Sequence, residues 1–373
     1  MSRSNKKNNP QVLEKYFKNY NLFYPFEINQ TKLNPYTKIE IKTGNKKTVT
    51  SLFRSALHAN DLQLIDFIID NYKPTKAATL GLQNQKEVLI QDLLVNQQPQ
   101  IAQILLTKAP QAFNNIIIDS QQNHEIFTPH RRHFCNGNYQ LISFLFGFTE
   151  FDDFLVKNKL SNFNYHFKYS LTYEKDINFH AKKIAIIIGG HSSFIDKYLN
   201  HSNIKEPISF SNSDYFSADL LLGFLHDKKS VFYPTAKKYY DQLTLIYALQ
   251  HILGENRANF NPNLKNKADK NLYFYTGKYE NLEINLLTLS IFTRNLSTIQ
   301  KIKPYFSEQQ FEQSCRVAQK IAPFLDLCYK EIATRSQEPL ILFNQEVNNT
   351  IEYLQLDKNL NKIPSSTSPL QKV

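Results

Sequence analysis

The sequence predicts a mostly α-helical protein in which stacked helical hairpins are followed by a C-terminal helical region. Apolar residues recur at spacings of three and four along much of the chain, which is the period of an amphipathic helix. Two similar helix–turn–helix patterns follow one another between residues 50 and 110. Only 9 of the 373 residues are Gly, which disfavours folds that need many tight turns or Gly-rich phosphate loops.

The composition predicts a packed, soluble protein. The hydrophobic fraction is 42%, with 28 Phe and 21 Tyr, which argues against a disordered chain. The longest apolar runs, such as 184–188, are far shorter than the roughly 20 residues that span a bilayer. Residues 1–10 lack the apolar region of a secretory signal. Cys135, Cys315 and Cys328 are odd in number and lack a CxxC spacing, so we expect a reducing, cytoplasmic location.

Residues 1–49 are predicted to form a basic N-terminal extension with a short helix. They contain ten Lys and Arg against three Asp and Glu, and such an arm can attract nucleic acid, anionic lipid or an acidic protein. The simplest expectation is a solvated, partly disordered leader. Prolines and short β-branched runs in residues 24–47 predict loops or a small β-hairpin. The short helix is indicated by apolar residues at helical spacing, namely Val12, Leu13, Tyr16, Phe17 and Tyr20.

Residues 51–70 carry the clearest local pattern. A first helix presents Leu52, Phe53 and Ala56, and the turn-prone pair Asn60–Asp61 follows. Two short helices joined by a tight turn cannot bury their own apolar faces, so they need stacked neighbours. The apolar face of the second helix consists of Leu62, Leu64, Ile65 and Ile68.

This segment resembles the ankyrin repeat. Ala56 takes the position of the small residue in the first helix, Asn60 that of the turn glycine, and Ile68–Ile69 that of the paired leucines. A second unit follows in residues 88–107, where Ile90 corresponds to Phe53 at a spacing of 37 residues, near the ankyrin period of about 33. Further corresponding positions in that unit are Leu93, Gln97, Ile101, Ala102, Leu105 and Leu106.

The chain departs from the ankyrin pattern at several positions. Both units lack the Thr-Pro-Leu-His tetrapeptide, Asn60 and Gln97 replace the turn glycine, and Leu93 is larger than the usual small residue. The resemblance covers residues 50–110, with weaker echoes in residues 142–156 and 286–306. It implies ankyrin-like helical repeats over residues 50–160 and a protein partner.

Residues 161–355 are predicted to form a second helical region, with room for further degenerate repeats. Helical spacing marks residues 236–253 and 308–335, and Pro323 is expected to break the latter helix. Residues 183–190 fit either a buried strand or a short core helix. The polar segment 356–373 is predicted to be a disordered tail.

The densest group of polar side chains lies in residues 123–138. His124, His130, His133 and Cys135 are of the types that zinc prefers, but their spacing reproduces no known site, and we predict no metal and no cofactor. Cys135 is a candidate nucleophile beside His133. The neighbouring Arg131 and Arg132 are positioned in sequence to lower the pKa of its thiol. Alternatively, His130, Arg131 and Arg132 belong to an exposed basic loop that binds an anionic partner.

Two further segments are weaker candidates. The pair Gly189–Gly190 precedes a predicted helix and could present N–H groups to an anion. The GxGxxG and GxxxxGK[ST] fingerprints are absent, so a simple turn is the expectation. Residues 259–278 interleave lysines with Tyr273, Phe274 and Tyr275, a pattern that can bind nucleic acid, although a buried strand or loop anchor explains it equally well.

The sequence therefore favours a protein–protein interaction scaffold, since stacked hairpins bind partners without special chemistry. Residue usage typical of AT-rich coding, degenerate repeats and a Ser/Thr-rich C-terminal segment resemble a secreted effector of an intracellular bacterium. That resemblance implies a host or bacterial protein partner and either a cytoplasmic location or non-Sec secretion into a host cell.

Two alternatives stay open at this point. The first is an enzyme with a divergent thiol/histidine site around His133 and Cys135. The second is a binder of nucleic acid or an anionic surface through the basic arm 1–49, with nucleic acid the less favoured partner. The sequence leaves open whether a reaction is catalysed and what the oligomeric state is.

Overall fold

The computed structural model describes residues 10–22, 34–37, 39–43, 46–72, 93–109, 138–158, 174–199, 204–205, 208, 222–230, 232–253 and 284–360. Helices account for most of these residues, which confirms the mostly α-helical class. The chain divides into two compact units. The first comprises Met1–Ser143 and Glu150–Phe167, and the second comprises Phe144–Thr149 and Lys168–Val373. The domain limits expected near residues 49, 160 and 355 stay predictions.

The described helices and strands are named here in chain order. They are α1 (Pro10–Asn19), β1 (Ile39–Thr43), β2 (Lys46–Thr50), α2 (Leu52–His58), α3 (Leu62–Asn71), α4 (Pro99–Lys108), α5 (Asn138–Phe146), α6 (Thr149–Lys157), α7 (Glu174–Gly189), α8 (Ser192–Tyr198), α9 (Tyr233–Lys238), α10 (Tyr240–Leu253), α11 (Leu286–Phe292), α12 (Leu296–Ile302), α13 (Glu308–Ser336) and α14 (Phe343–Leu360). Short 3-10 turns lie at Phe224–His226 and Lys303–Tyr305.

The N-terminal segment 10–22 contains the expected short helix, and this part of the extension is packed rather than solvated. Leu13 and Phe17 are buried, and the ring of Tyr16 lies 5.7 Å from that of Phe67 on α3. The Tyr20 hydroxyl donates to Asp61 Oδ2 at 2.8 Å. Helix α1 therefore covers α3. The antiparallel pairing of β1 with β2 supplies the small hairpin expected in the extension.

The same turn joins successive helices at five places; the helix before the turn at Gln97 is described over residues 93–95. One residue in each turn has a positive φ, and the next helix begins two residues later. A left-handed residue at this point lets the end of the first helix satisfy its last carbonyl groups. In two of the turns, the residue after the positive-φ residue caps the second helix with its side chain. Asp61 accepts from Leu64 N, and Asn295 accepts from Thr298 N. The positive-φ residues are Asn60 (53°), Gln97 (61°), Gly147 (81°), Gly190 (67°) and Arg294 (56°).

Burial follows the same register in all five hairpins. The residues four before, four after and five after the positive-φ residue are buried in every case. The residues four before are Ala56, Leu93, Ser143, Ile186 and Ser290. The residues four after are Leu64, Ile101, Phe151, Phe194 and Thr298. The residues five after are Ile65, Ala102, Asp152, Ile195 and Ile299. The predicted turns at Asn60 and Gln97 are thus confirmed. The two weaker echoes are hairpins as well. Residues 183–189 are helical rather than a strand, and Gly190 lies in the turn that follows.

Within the second unit, equivalent helices lie side by side. Helix α7 contacts α11, and α8 contacts α12. The first helices of these hairpins are also covered on another side, because α10 packs on α7 and both α13 and α14 pack on α11. Every residue of α11 is buried as a result.

Helix α13 runs without a break through Pro323, so the expected interruption is wrong. Pro323 and Gln319 are exposed, and water can therefore solvate the Gln319 carbonyl that the proline ring leaves without its helical donor. Ile321 and Leu325 on either side are fully buried, so tertiary packing holds the helix across the gap. Helix α14 reaches Leu360, so the described part of the segment 356–373, which was predicted to be a tail, is helical. Residues 361–373 lie outside the described part.

Replacing Pro323 by Ala should raise the free energy of unfolding by about 1 kcal/mol. The change restores one helical hydrogen bond and removes the steric conflict of an interior proline, which costs roughly 3 kcal/mol in a free helix. Part of this gain is lost because the unfolded chain becomes more flexible. Urea denaturation followed by circular dichroism measures the difference, with Gln319→Ala as the control at a neighbouring exposed site. A less stable Pro323→Ala variant would show that the proline is matched to its surroundings.

Candidate functional site

The side chains singled out in the sequence lie outside the described residues. This applies to His130, Arg131, Arg132, His133 and Cys135, and also to the lysine and aromatic segment 259–278. Their roles stay predictions.

The two described cysteines are unsuited to nucleophilic chemistry. Cys315 and Cys328 are buried within α13. Burial, with a smaller contribution from Glu331, holds the pKa of the Cys328 thiol well above its usual value. A thiol held in its neutral form is a poor nucleophile. Among the described residues, no three His, Cys, Asp or Glu side chains are grouped so that they could hold a metal ion. In the same part of the chain, no helix is both long enough and apolar enough to span a membrane.

The Gly189–Gly190 turn is explained by close packing. A Cβ atom at Gly189 would lie 2.4 Å from the carbonyl oxygen of Phe144, and one at Gly190 would lie 2.8 Å from Asn295 Nδ2. The adjacent His191 places Nε2 3.1 Å from the Leu145 carbonyl oxygen. These neighbours fill the space that a larger side chain would need, so the glycines allow the turns to approach one another.

The turns of the second unit form a continuous row. A Cβ atom at Gly147 would lie 2.7 Å from His191 Cε1, which places the first turn against the second. The Asn295 contact with Gly190 places the second turn against the third. The residue after the positive-φ position packs on the preceding turn in both cases. We call the turns at Gly147, Gly190 and Arg294 the turn row.

A similar contact occurs in the first unit, where Gln98 Nε2 donates to the Leu57 carbonyl oxygen at 2.9 Å. Gln98 again follows the positive-φ residue, here Gln97, and reaches the hairpin before its own. The second helices are linked by ion pairs as well. Lys108 contacts Asp66 and Asp70 at 2.6 and 2.8 Å in the first unit, and Lys301 contacts Asp196 at 2.5 Å in the second.

Arg294 anchors the last turn of the row. Its side chain is only 10% exposed, and it pairs with Asp241 on α10 and with Glu346 on α14, the latter at 3.0 Å. The guanidinium lies 4.6 Å from the ring centroid of Phe343, and that ring stacks on Tyr329 at 4.6 Å. The Tyr329 hydroxyl donates to Asp241 Oδ1 at 2.8 Å. We call these five residues the arginine cluster.

Electrostatics fix the charges of this cluster. Burial alone would lower the pKa of Arg294, but Tyr329 and Asp241 outweigh it and the net shift is upward. Burial and the nearby Asp241 raise the pKa of Tyr329 well above its usual value. The guanidinium therefore stays charged and the phenol stays neutral around neutral pH. Neither group is suited to proton transfer, and the arrangement acts as a structural anchor for the turn.

The arginine cluster was not predicted from the sequence. Arg294 and Asp241 are 53 residues apart, and Tyr329 and Asp241 are 88 apart, so no local pattern joins them. The one available signal was an arginine at the turn position that Asn, Gln or Gly takes in the other hairpins.

Comparisons of the chain with protein-family profiles, with curated proteins and with solved structures give no match in any of the three. Any functional assignment therefore depends on the geometry of the described residues.

Proposed function

We propose that the chain is a protein–protein interaction scaffold with degenerate ankyrin-like hairpins, and that the turn row of the second unit contacts the partner. The observation that carries this proposal is the repeated register of the turns. The residue after Gly190 packs on the Gly147 turn, and the residue after Arg294 packs on the Gly190 turn. Repeated packing of this kind builds an extended edge, which is how repeat proteins present a binding surface.

The packing of the second unit favours the turns over the first helices as the contact surface. Ankyrin-like arrays commonly use both, but here α11 is fully buried beneath α13 and α14. The first helices of this unit are thus engaged by the chain itself. Ser192, Ser193, Asn295 and Ser297 at the turn row are exposed and polar. Small polar side chains of this kind suit a recognition surface that must stay soluble without its partner.

The partner class follows from the earlier resemblance to secreted bacterial effectors, which favours a host or bacterial protein and either a cytoplasmic location or delivery into a host cell. The alternative of a thiol/histidine enzyme rests on His133 and Cys135, and the alternative of an anionic-surface binder rests on the basic arm 1–49. Both are tested separately from the turn row.

The turn-row proposal predicts that Ser193→Arg with Ser297→Arg abolishes partner capture and leaves the fold intact. Both serines lie three residues after a positive-φ residue and are exposed, so two bulky charges alter the surface without disturbing the core. Tagged full-length protein is used to capture cross-linked partners from host-cell and bacterial lysates, and mass spectrometry identifies them.

The control variant carries Gln313→Arg with Gln319→Arg on the exposed side of α13. The proposal is supported if a protein is captured by the native chain and by the control variant but not by the turn-row variant. Equal capture by all three chains would contradict the proposal.

The thiol alternative predicts a different result. If Cys135 is an activated nucleophile, one thiol per chain should react rapidly with a maleimide in the folded protein, and Cys135→Ser should remove this reaction. Cys315 and Cys328 should react only after denaturation, because both are buried. Slow labelling of the folded native chain at all three thiols would remove the enzymatic alternative based on Cys135.

A further inference from the structure

A segment of the second unit carries unbalanced positive charge. Residues 222–238 contain one carboxylate, Asp227, against a group of exposed basic side chains. We call this group the basic patch. It consists of His226, Lys228, Lys229, Lys237 and Lys238.

The two ends of the basic patch belong to one folded piece. The 3-10 turn at Phe224–His226 contacts α9, and the rings of Phe224 and Phe232 lie 4.5 Å apart. Between them, Ser230 N donates to the Asp227 carbonyl oxygen at 2.8 Å, and Tyr233 N donates to that of Ser230 at 3.1 Å. The backbone is thereby held in consecutive turns, so the basic side chains share a preformed support.

Three lysines of the patch, Lys228, Lys229 and Lys237, differ in their pairing from the cations that link the hairpins. Lys108, Lys301 and Arg294 each contact carboxylates. Over the described ranges, no carboxylate forms an ion pair with Lys228, Lys229 or Lys237. The Asp227 carboxylate caps its own turn by accepting from the backbone N of Lys229 at 3.0 Å.

The aromatic rings of the segment are half-buried and contact other groups of the protein. The rings of Phe224 and Phe232 are tilted against each other, the Tyr233 hydroxyl donates to Glu338 Oε1 at 3.1 Å, and Lys237 lies over the Tyr233 ring. Single-stranded nucleic acid needs open rings on which bases can stack. A membrane surface favours apolar side chains that insert, whereas Leu225 is fully buried.

We infer that the basic patch binds an acidic segment of a protein partner. This inference rests on the proposed scaffold function and names the chemistry of one contact. Lysine ammonium groups act as point charges on flexible stems, so they can adapt to a chain of carboxylates without fixed bidentate geometry. Complementary charge of this kind steers association and sets partner preference.

The test measures the affinity of full-length protein for a fluorescein-labelled poly-glutamate peptide by fluorescence anisotropy at low salt. The patch variant combines Lys228→Gln, Lys229→Gln and Lys237→Gln. The control combines Lys157→Gln, Lys205→Gln and Lys320→Gln, which are also exposed, lie outside the basic arm and lower the net charge equally. We expect the patch variant to bind about tenfold more weakly than the control, since each exposed charge pair contributes modestly.

Two parallel probes test whether the basic patch instead binds nucleic acid or an anionic membrane. Affinities for an oligothymidylate and for phosphatidylserine vesicles are measured with the same three proteins. A patch dependence confined to poly-glutamate supports the inference, whereas a larger dependence for the oligonucleotide or the vesicles overturns it. Equal poly-glutamate affinity of the patch and control variants also overturns it. Failure of the scaffold function would instead appear as partner capture that does not depend on Ser193 and Ser297, with the poly-glutamate result unchanged.

Discussion

Replacing Arg294 by Met should lower the free energy of unfolding of the second unit by about 2–3 kcal/mol. The change removes the buried member of the arginine cluster and leaves Asp241 and Glu346 without their cation. Removal of one partner from a fully buried pair costs roughly 3–5 kcal/mol. The carboxylates are 39% and 48% exposed, so water recovers part of that loss. Urea denaturation of the full chain followed by circular dichroism measures the change.

Three further variants define the cause of the effect. Arg316→Met on the exposed side of α13 should change stability by less than about 0.5 kcal/mol. Arg294→Lys should restore only part of the loss, because lysine keeps the charge but lacks the planar group that stacks on Phe343. Arg294→Gly should be about 1 kcal/mol more stable than Arg294→Ala, since φ is positive here. If Arg294→Met matches Arg316→Met, the cluster has no role in stability.

Gly189→Ala should destabilise the second unit by about 3 kcal/mol. The added Cβ atom would lie 2.4 Å from the carbonyl oxygen of Phe144 and 3.1 Å from Cα of Leu145. Both are backbone atoms, so no side-chain rotation can relieve the conflict and the helix ends must separate. Overpacking of this kind typically costs about 1–3 kcal/mol, and backbone contacts place it at the upper end.

The matched control is Gly223→Ala. A Cβ atom there meets nothing within 4 Å, and φ is −57°, so alanine fits without strain. We expect a change within about 0.5 kcal/mol, with a small gain because the unfolded chain loses freedom. Thermal and urea unfolding of the two variants provide the comparison. Equal stability of both would mean that the hairpins do not pack as closely as the structure shows.

The spacing of apolar residues within a short segment was sufficient to predict the hairpins whose helices have one polar face. In residues 51–70, Leu64, Ile65, Ile68 and Ile69 are buried. They recur in pairs at helical spacing, and Gln63 and Asp70 on either side are exposed. At Gly190 the turn and the helix after it were expected, but residues 183–190 were left open between strand and helix for a physical reason. Ile184 to Ile188 are all buried, because packing on several sides removes the polar face from which the period is recognised.

The remaining differences between prediction and structure come from contacts between residues that are far apart in the sequence. Pro323 carries a local cost, but the buried Ile321 and Leu325 outweigh it through contacts made elsewhere in the fold. The arginine cluster joins α10, α13, α14 and a turn that are far apart in sequence. The candidate residues His133 and Cys135 lie outside the described residues, so the thiol site stays a prediction from sequence.

The neighbouring helices α7 and α11 belong to hairpins that are separated in the chain by the whole interval from Leu199 to Asn285. In a regular repeat protein, folding spreads from each repeat to the next through short-range contacts. Here the chain must close a long loop before these two helices meet, and loop closure carries an entropic cost and slows the search. We therefore expect the pairing of α7 with α11 to form in a late, nonlocal step of folding.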